Sequence, residues 1–242
     1  LNEGGMVWTK IRSGGGTYRW QVWTTARTRS KYMFLGSTDS TDAESNISSS
    51  TVGITTFNSD GFSLGTAAFH ENTNGKPTVA FTFRKAEKFF DVVEYDGDNN
   101  AQSIAHNLGC VPGFMVVKRY NAAGGGWPTY HSGRTGGAAT KMQKLNESGT
   151  QEGGMWNDTA PTSTHFTVGT NAEVNGGGAG HKYLCYLFAE DEDNIKCVIM
   201  TLLALLGMQS MLGLNLSGYW LKQLTKLAVG LCLIQKEDLP NS

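Results

Sequence analysis

The chain has 242 residues, 31 of them Gly, and a formal net charge of -1 from 20 basic and 21 acidic side chains. Charged residues make up 17% and hydrophobic residues 39%, which excludes a coiled coil or a helix-rich enzyme and supplies no electrostatic pull toward nucleic acid or a membrane surface. The four cysteines show no CxxC spacing and suggest neither a zinc knuckle nor a disulfide framework, and Leu1 with no signal-peptide pattern after it reads as the start of a fragment.

Taken in chain order, four blocks occur twice. Met6-Val7-Trp8-Thr9-Lys10 returns as Phe114-Met115-Val116-Val117-Lys118, an offset of 108. Trp20-Gln21-Val22-Trp23 returns as Trp127-Pro128-Thr129-Tyr130, an offset of 107. The segment around Phe62 matches the one around Phe166 at 104, and Pro77-Thr78-Val79-Ala80-Phe81-Thr82-Phe83 matches Lys182-Tyr183-Leu184-Cys185-Tyr186-Leu187-Phe188 at 105. Order and spacing hold across all four, and a drift of a few residues is what changes in loop length produce. Runs rich in aromatic and β-branched residues predict strands over 89–95, 114–120, 127–132, 165–168 and 183–188, bounded by turn clusters at 96–100, 121–126 and 175–180. No segment carries a helical period long enough to cross over a parallel sheet. The expected fold is all-β: tandem β-sandwich-like repeats of short antiparallel strands, with a non-native or helical C-terminal tail. The expected units are 1–88, a first repeat that is N-terminally truncated; 89–190, a second repeat; and 191–242, the start of a third.

The tail differs in composition. Leu occurs seven times in residues 1–196 and thirteen times in the last 46, and 197–221 carries no charge. Residues 198–221 are long and apolar enough for a transmembrane helix, although Gly207, Gln209, Asn215 and Gly218 interrupt them. A reading frame one nucleotide earlier offers another account. There, residues 214–222 permit Phe-Lys-Pro-Glu-Trp-Leu-Leu-Val-Lys, which parallels residues 110–118. Residues 228–233 permit Gly-Ser-Trp-Ala-Leu-Phe, which parallels 125–130. The phase stays constant, so the expectation is an out-of-frame translation of a third unit after about Cys197, with a membrane-inserting or helical tail as the alternative. Sequencing the encoding DNA decides between them.

The run Trp156-Asn157-Asp158-Thr159-Ala160-Pro161-Thr162, continued through Asn175, joins two other motifs: Phe90-Asp91-Val92-Val93-Glu94-Tyr95 and Ile104-Ala105-His106-Asn107-Leu108-Gly109. Together they resemble a repeated domain of unknown function in structural proteins of tailed bacteriophages, especially marine ones. The resemblance covers about residues 6–196. It implies a virion component of a tail fibre or other appendage, located in the extracellular particle, with other virion proteins as partners, a homo-oligomer as a candidate state and host-surface recognition as a candidate role. It carries over no catalytic residue.

Single motifs support little chemistry. Gly61-Phe62-Ser63-Leu64-Gly65 fits G-x-S-x-G, but a nucleophile elbow needs a helix after the turn, and 66–75 is too short and turn-rich to supply one. The histidines at 70, 106, 131, 165 and 181 show no i,i+4 pair, so no metal site is expected. Asp96-Gly97-Asp98-Asn99 lacks the later bidentate Glu of a calcium loop and reads as a hairpin turn. The triple-Gly runs do not open helices and read as loop punctuation. No cofactor and no enzyme activity are expected, nor any nucleic-acid partner or membrane insertion. Glycan binding has three weak candidates, Trp23, Tyr130 and Trp156, because flat rings stack on sugar faces. Trp20/Trp127 and Trp23/Tyr130 recur at equivalent positions, which favours packing within each unit. Rings three residues apart in a strand face opposite sides, so one of each pair could be exposed. A carbohydrate-binding or adhesin module of a bacterial surface protein is the alternative function.

Overall fold

The structure, a computed structural model, describes residues 1, 3–13, 18–29, 31–35, 45–47, 51–66, 72–134, 136–145, 150–176, 178, 180–198 and 231–234. The first unit contains β1 (Gly5–Ile11), β2 (Gln21–Thr24), β3 (Lys31–Phe34), β4 (Ser45–Asn46), β5 (Ile54–Phe57), β6 (Phe62–Leu64) and β7 (Thr78–Arg84). Five of these form an antiparallel sheet in the order β4-β3-β2-β1-β7, and β5 and β6 form a separate ribbon. The second unit contains β8 (Phe90–Asp96), β9 (Gln102–Ala105), β10 (Pro112–Arg119), β11 (Pro128–His131), β12 (Lys141–Lys144), β13 (Thr150–Glu152), β14 (His165–Val168), a four-residue helix α1 (Ala172–Asn175) and β15 (Lys182–Ala189). Its main sheet runs β13-β12-β11-β10-β15-β8, and β9 pairs with β14 as a ribbon. The protein is therefore all-β, built as tandem antiparallel units in which a sheet packs on a two-stranded ribbon.

The two sheets share more than their order. Trp8 of β1 stands between Val22 of β2 and Phe81 of β7. Val116 of β10 stands between Thr129 of β11 and Tyr186 of β15, the same three positions 105–108 residues later. A one-residue slip would turn every apolar side chain to the opposite face, so identical register means the same chain path. The links between units repeat as well. Ala86 and Phe90 form a β-bridge, and so do Asp191 and Ile195, 105 residues on. The second bridge leads into β16 (Ile195–Val198), which pairs with β17 (Leu231–Ile234). Cys197 of β16 is disulfide-bonded, a bond the cysteine spacing does not suggest; Cys110 and Cys185 are free. Most of the tail, and with it the frameshift or helical reading of 197–242, lies outside the described residues.

Alternation along each strand decides which side chains enter the cores. In the first unit Val7, Trp23, Tyr32 and Ile54 are buried between the sheet and the β5–β6 ribbon, with Phe57, Phe62 and Leu64 against them. The opposite face of that sheet contributes Met6, Val22 and Met33 to a larger core that includes Phe90, Phe114, Val116 and Phe188 of the second unit. Phe83 of β7 closes the seam, with ring centroids 5.8 Å from Phe90 and 5.4 Å from Phe188. Such ring pairs add roughly 0.5–1.5 kcal/mol each beyond the area they bury. At the other end of the seam Arg27 lies 4.1 Å from the Tyr120 ring centroid and 3.3 Å from Glu94. One face of the first sheet thus shares a hydrophobic interior with the second unit, while the core under the β5–β6 ribbon stays separate.

Candidate functional site

The motif residues of the second unit anchor its loops. Trp156 is buried, and the Trp156-Asn157-Asp158-Thr159 turn is closed by the Thr159 amide donating to the Trp156 carbonyl at 3.0 Å. Asn157 and Asp158 both have positive φ, 51° and 50°, a conformation that Asn and Asp tolerate far better than β-branched residues. The Asn171 side chain then caps α1 by accepting from the Glu173 amide at 2.9 Å. Tyr95 and Tyr183 stack at 5.3 Å beneath α1. Tyr95 donates to the Val174 carbonyl and Tyr183 to the Ala172 carbonyl, each at 2.7 Å. Burial pushes the Tyr95 hydroxyl well above its ordinary pKa, so it is a hydrogen-bond donor at neutral pH.

Asn175 is the polar hub of this end. It is fully buried. Its amide nitrogen donates to the carbonyls of Gly169, at 2.8 Å, and Asn100. Its oxygen accepts from the Asp98 amide at 3.1 Å and from the Gln102 side chain at 2.6 Å. Asn175 thereby ties the β8–β9 turn to the β14–α1 loop. The stretch 96–100, read from the sequence as a hairpin turn, instead joins two sheets, because β8 pairs with β15 and β9 with β14; Asp96 pairs with Lys182, and Asp98 accepts from the Asn100 amide at 2.8 Å.

A second buried polar group lies at the β9–β10 loop. His106 is 5% exposed. Its Nδ1 accepts from the Leu108 amide at 3.2 Å, and its Nε2 lies 3.2 Å from the Thr162 carbonyl, which fixes the neutral Nε2–H tautomer. Burial lowers its pKa below the ordinary 6.5, against the opposing pull of the Thr162 carbonyl and Asp91 and with a small contribution from His165. The unfolded chain binds this proton more readily than the folded one. His106 therefore favours the folded state above about pH 6.5, an advantage lost as the pH falls toward its depressed folded value. Chemical melts between pH 5 and 7.5 are expected to show a steeper loss of stability in the native chain than in His106→Asn. Equal slopes would remove His106 from this role.

Asp91, 1% exposed, is held by Lys85 at 2.8 Å and accepts from the Asn107 amide at 2.8 Å. The Asp of the Phe-Asp-Val-Val motif therefore joins the link between units to the β9–β10 loop.

The three glycan candidates lie inside. Trp23, Tyr130 and Trp156 are 0%, 4% and 1% exposed, and none offers a ring face to a sugar in this conformation. Trp23 donates to Thr9 Oγ1 at 3.1 Å, and Tyr130 meets Trp156 edge-on at 5.9 Å. Alternation does place the rings of each pair on opposite faces, but in the second unit both faces are covered and Trp127 is buried too. In the first unit Trp20 is half-buried, and the nearby Phe81 is 49% exposed. Their centroids are 5.6 Å apart, and Lys10 Nζ lies 5.6 Å from the Trp20 ring centre. Among the described residues the exposed large hydrophobics are Phe81 and Val111. Phe81 was hidden in the sequence because its Phe-Thr-Phe setting reads as one buried face; only the open side of β7 exposes it.

The remaining motifs resolve locally. Ser63 sits within β6, its hydroxyl accepting from the Asn58 side chain at 2.9 Å. His131 is buried with its Nδ1 accepting from the Gly133 amide at 3.0 Å; His165 is exposed, and His70 lies outside the described residues. Among the described residues no group of three or more His, Cys, Asp or Glu could hold a metal ion, and no helix is long and apolar enough to cross a membrane.

Fold and surface define an all-β protein of tandem sheet units, whose recurring motif residues hold loops and whose first unit presents an aromatic surface. The chain belongs to the family described as Domain of unknown function (DUF7483), whose profile matches residues 3–196. No curated protein and no solved structure matches it.

Proposed function

We propose that the chain is a non-enzymatic structural component of a bacteriophage virion, placed in a tail fibre or other appendage. The supporting observation is the motif run 156–175, which resembles the repeated domain of phage structural proteins and here serves to clamp loops onto a sheet. Two such units joined through a shared hydrophobic interior resist bending between them, as a fibre segment must. Other virion proteins and further copies of the chain are its partners, and Gly-, Ser- and Thr-rich loops supply a variable, solvated surface. Mass spectrometry of gradient-purified particles, from a phage that carries the encoding gene, is the test. Peptides of this chain are expected to travel with the particles. Recovery only from the soluble lysate would refute the assignment.

One observation favours a second reading, a carbohydrate-binding module: the Trp20–Phe81 pair with Lys10 beside it. On a glycan array, binding by this surface is expected to fall about tenfold in Trp20→Ala, the loss of one stacking platform. Binding unchanged in Trp20→Ala would place any sugar elsewhere.

A further inference from the structure

We propose that Asn175 is a fold-gated modification site: its side chain deamidates onto Gly176 when the second unit opens, and the product biases the chain against refolding. This inference does not depend on the appendage assignment. The chain holds two Asn-Gly pairs, Asn74-Gly75 and Asn175-Gly176. With no Cβ on the following residue, the next backbone nitrogen can approach the Asn side chain unhindered. That nitrogen attacks the side-chain carbonyl carbon. An N–Cγ bond forms, the bond from Cγ to the side-chain nitrogen breaks, and ammonia leaves with the proton that the backbone nitrogen gives up. Water then opens the succinimide ring at either carbonyl, leaving Asp or isoaspartate. Water is the one co-reactant.

In the folded second unit both reacting groups are held. Asn175 and Gly176 are buried. The Gly176 amide donates to the Tyr183 hydroxyl at 2.8 Å, and Tyr183 is itself tied to the Ala172 carbonyl and stacked on Tyr95. The Asn175 nitrogen donates to the Gly169 and Asn100 carbonyls, and its oxygen accepts from Asp98 and Gln102. Attack needs Cγ to swing onto the Gly176 nitrogen, which breaks these bonds where water does not reach. The contacts that join the β8–β9 turn to α1 therefore also keep Asn175 from reacting. The product cannot rebuild them. A carboxylate has no N–H to donate and sets a negative charge against two carbonyl oxygens in a fully buried place. Isoaspartate also adds a methylene to the backbone at the end of α1. Time spent unfolded is thereby recorded at one residue, and the fold that such a chain returns to is weaker.

The test incubates the full chain at mildly alkaline pH, with and without guanidinium chloride, and follows both Asn-Gly pairs by peptide mass spectrometry. In denaturant Asn175 and Asn74 are expected to convert at similar rates. In native buffer Asn175 is expected to convert at least about 100-fold more slowly than in denaturant, since only locally opened chains react. Partly converted chains are then diluted to a denaturant concentration just below the native midpoint and sorted by protease resistance. The resistant, folded fraction is expected to keep the amide at 175, and the acid is expected in the cleaved fraction. Three results would overturn the site: conversion of Asn175 in native buffer as fast as in denaturant, no conversion of Asn175 in denaturant while Asn74 converts, or acid at 175 spread equally between the two fractions.

Discussion

Gly169→Ala is expected to cost about 3–5 kcal/mol, the sum of overpacking and a broken buried hydrogen bond, and to lower the melting temperature by about 10 °C or more. A Cβ at this position would stand 2.0 Å from the Gly154 carbonyl oxygen, a backbone atom that cannot rotate away. The same close approach allows the Gly169 amide to donate to the Met155 carbonyl at 2.7 Å. The first unit repeats the device. A Cβ on Gly65 would stand 1.9 Å from the Thr51 carbonyl oxygen, and the Gly65 amide donates to the Gly53 carbonyl at 2.8 Å. Gly65→Ala should therefore destabilise the first unit by a similar amount. Gly61→Ala, where a Cβ would meet nothing within 4 Å, is the control and should change stability by less than about 0.5 kcal/mol. Thermal melts of the three variants check this; a Gly169→Ala chain as stable as the native one would show that the β14 end does not need the contact.

Asn175→Ala is expected to cost about 3–4 kcal/mol. The side chain makes four hydrogen bonds from a fully buried site, and its removal leaves two donors and two carbonyls without it, at roughly 1–3 kcal/mol for each group that water cannot reach. Gln102→Ala removes one of the four and lies nearer the surface, so about 1 kcal/mol is expected for it. Asn175→Asp keeps the acceptor and loses both donations, and should fall close to Asn175→Ala. Urea denaturation orders the three. A cost for Asn175→Ala no greater than that for Gln102→Ala would mean that the β8–β9 turn and α1 are not coupled through this residue.

Gly169 and Asn175 also show how the family motif reads physically. Both lie in the 156–175 run, and both set how closely two backbones approach. The motif therefore marks structure that the fold repeats, and it names no substrate.

Much of the architecture was legible in the chain because it is written twice. The four recurring blocks fall on β1/β10, β2/β11, β6/β14 and β7/β15, where aromatic and β-branched residues alternate strongly. The strands that escaped reading are short or polar. Lys31–Phe34, Ile54–Phe57, Gln102–Ala105 and Lys141–Lys144 span only four residues each, too few for a period to show. They are held by their neighbours' register. The candidate surface was half legible. Alternation could separate Trp20 from Trp23, but it could not say which faces would be covered.

By itself the sequence determined an all-β chain, the duplication of its unit and the strands that carry it, since side-chain period and turn chemistry act over a few residues. Tertiary structure decided exposure. Trp127 and Trp20 occupy the same place in one pattern, and so do Tyr186 and Phe81, yet the first of each pair is buried and the second is at least partly open. What separates them is whether another strand or layer lies alongside, and that depends on residues far away along the chain.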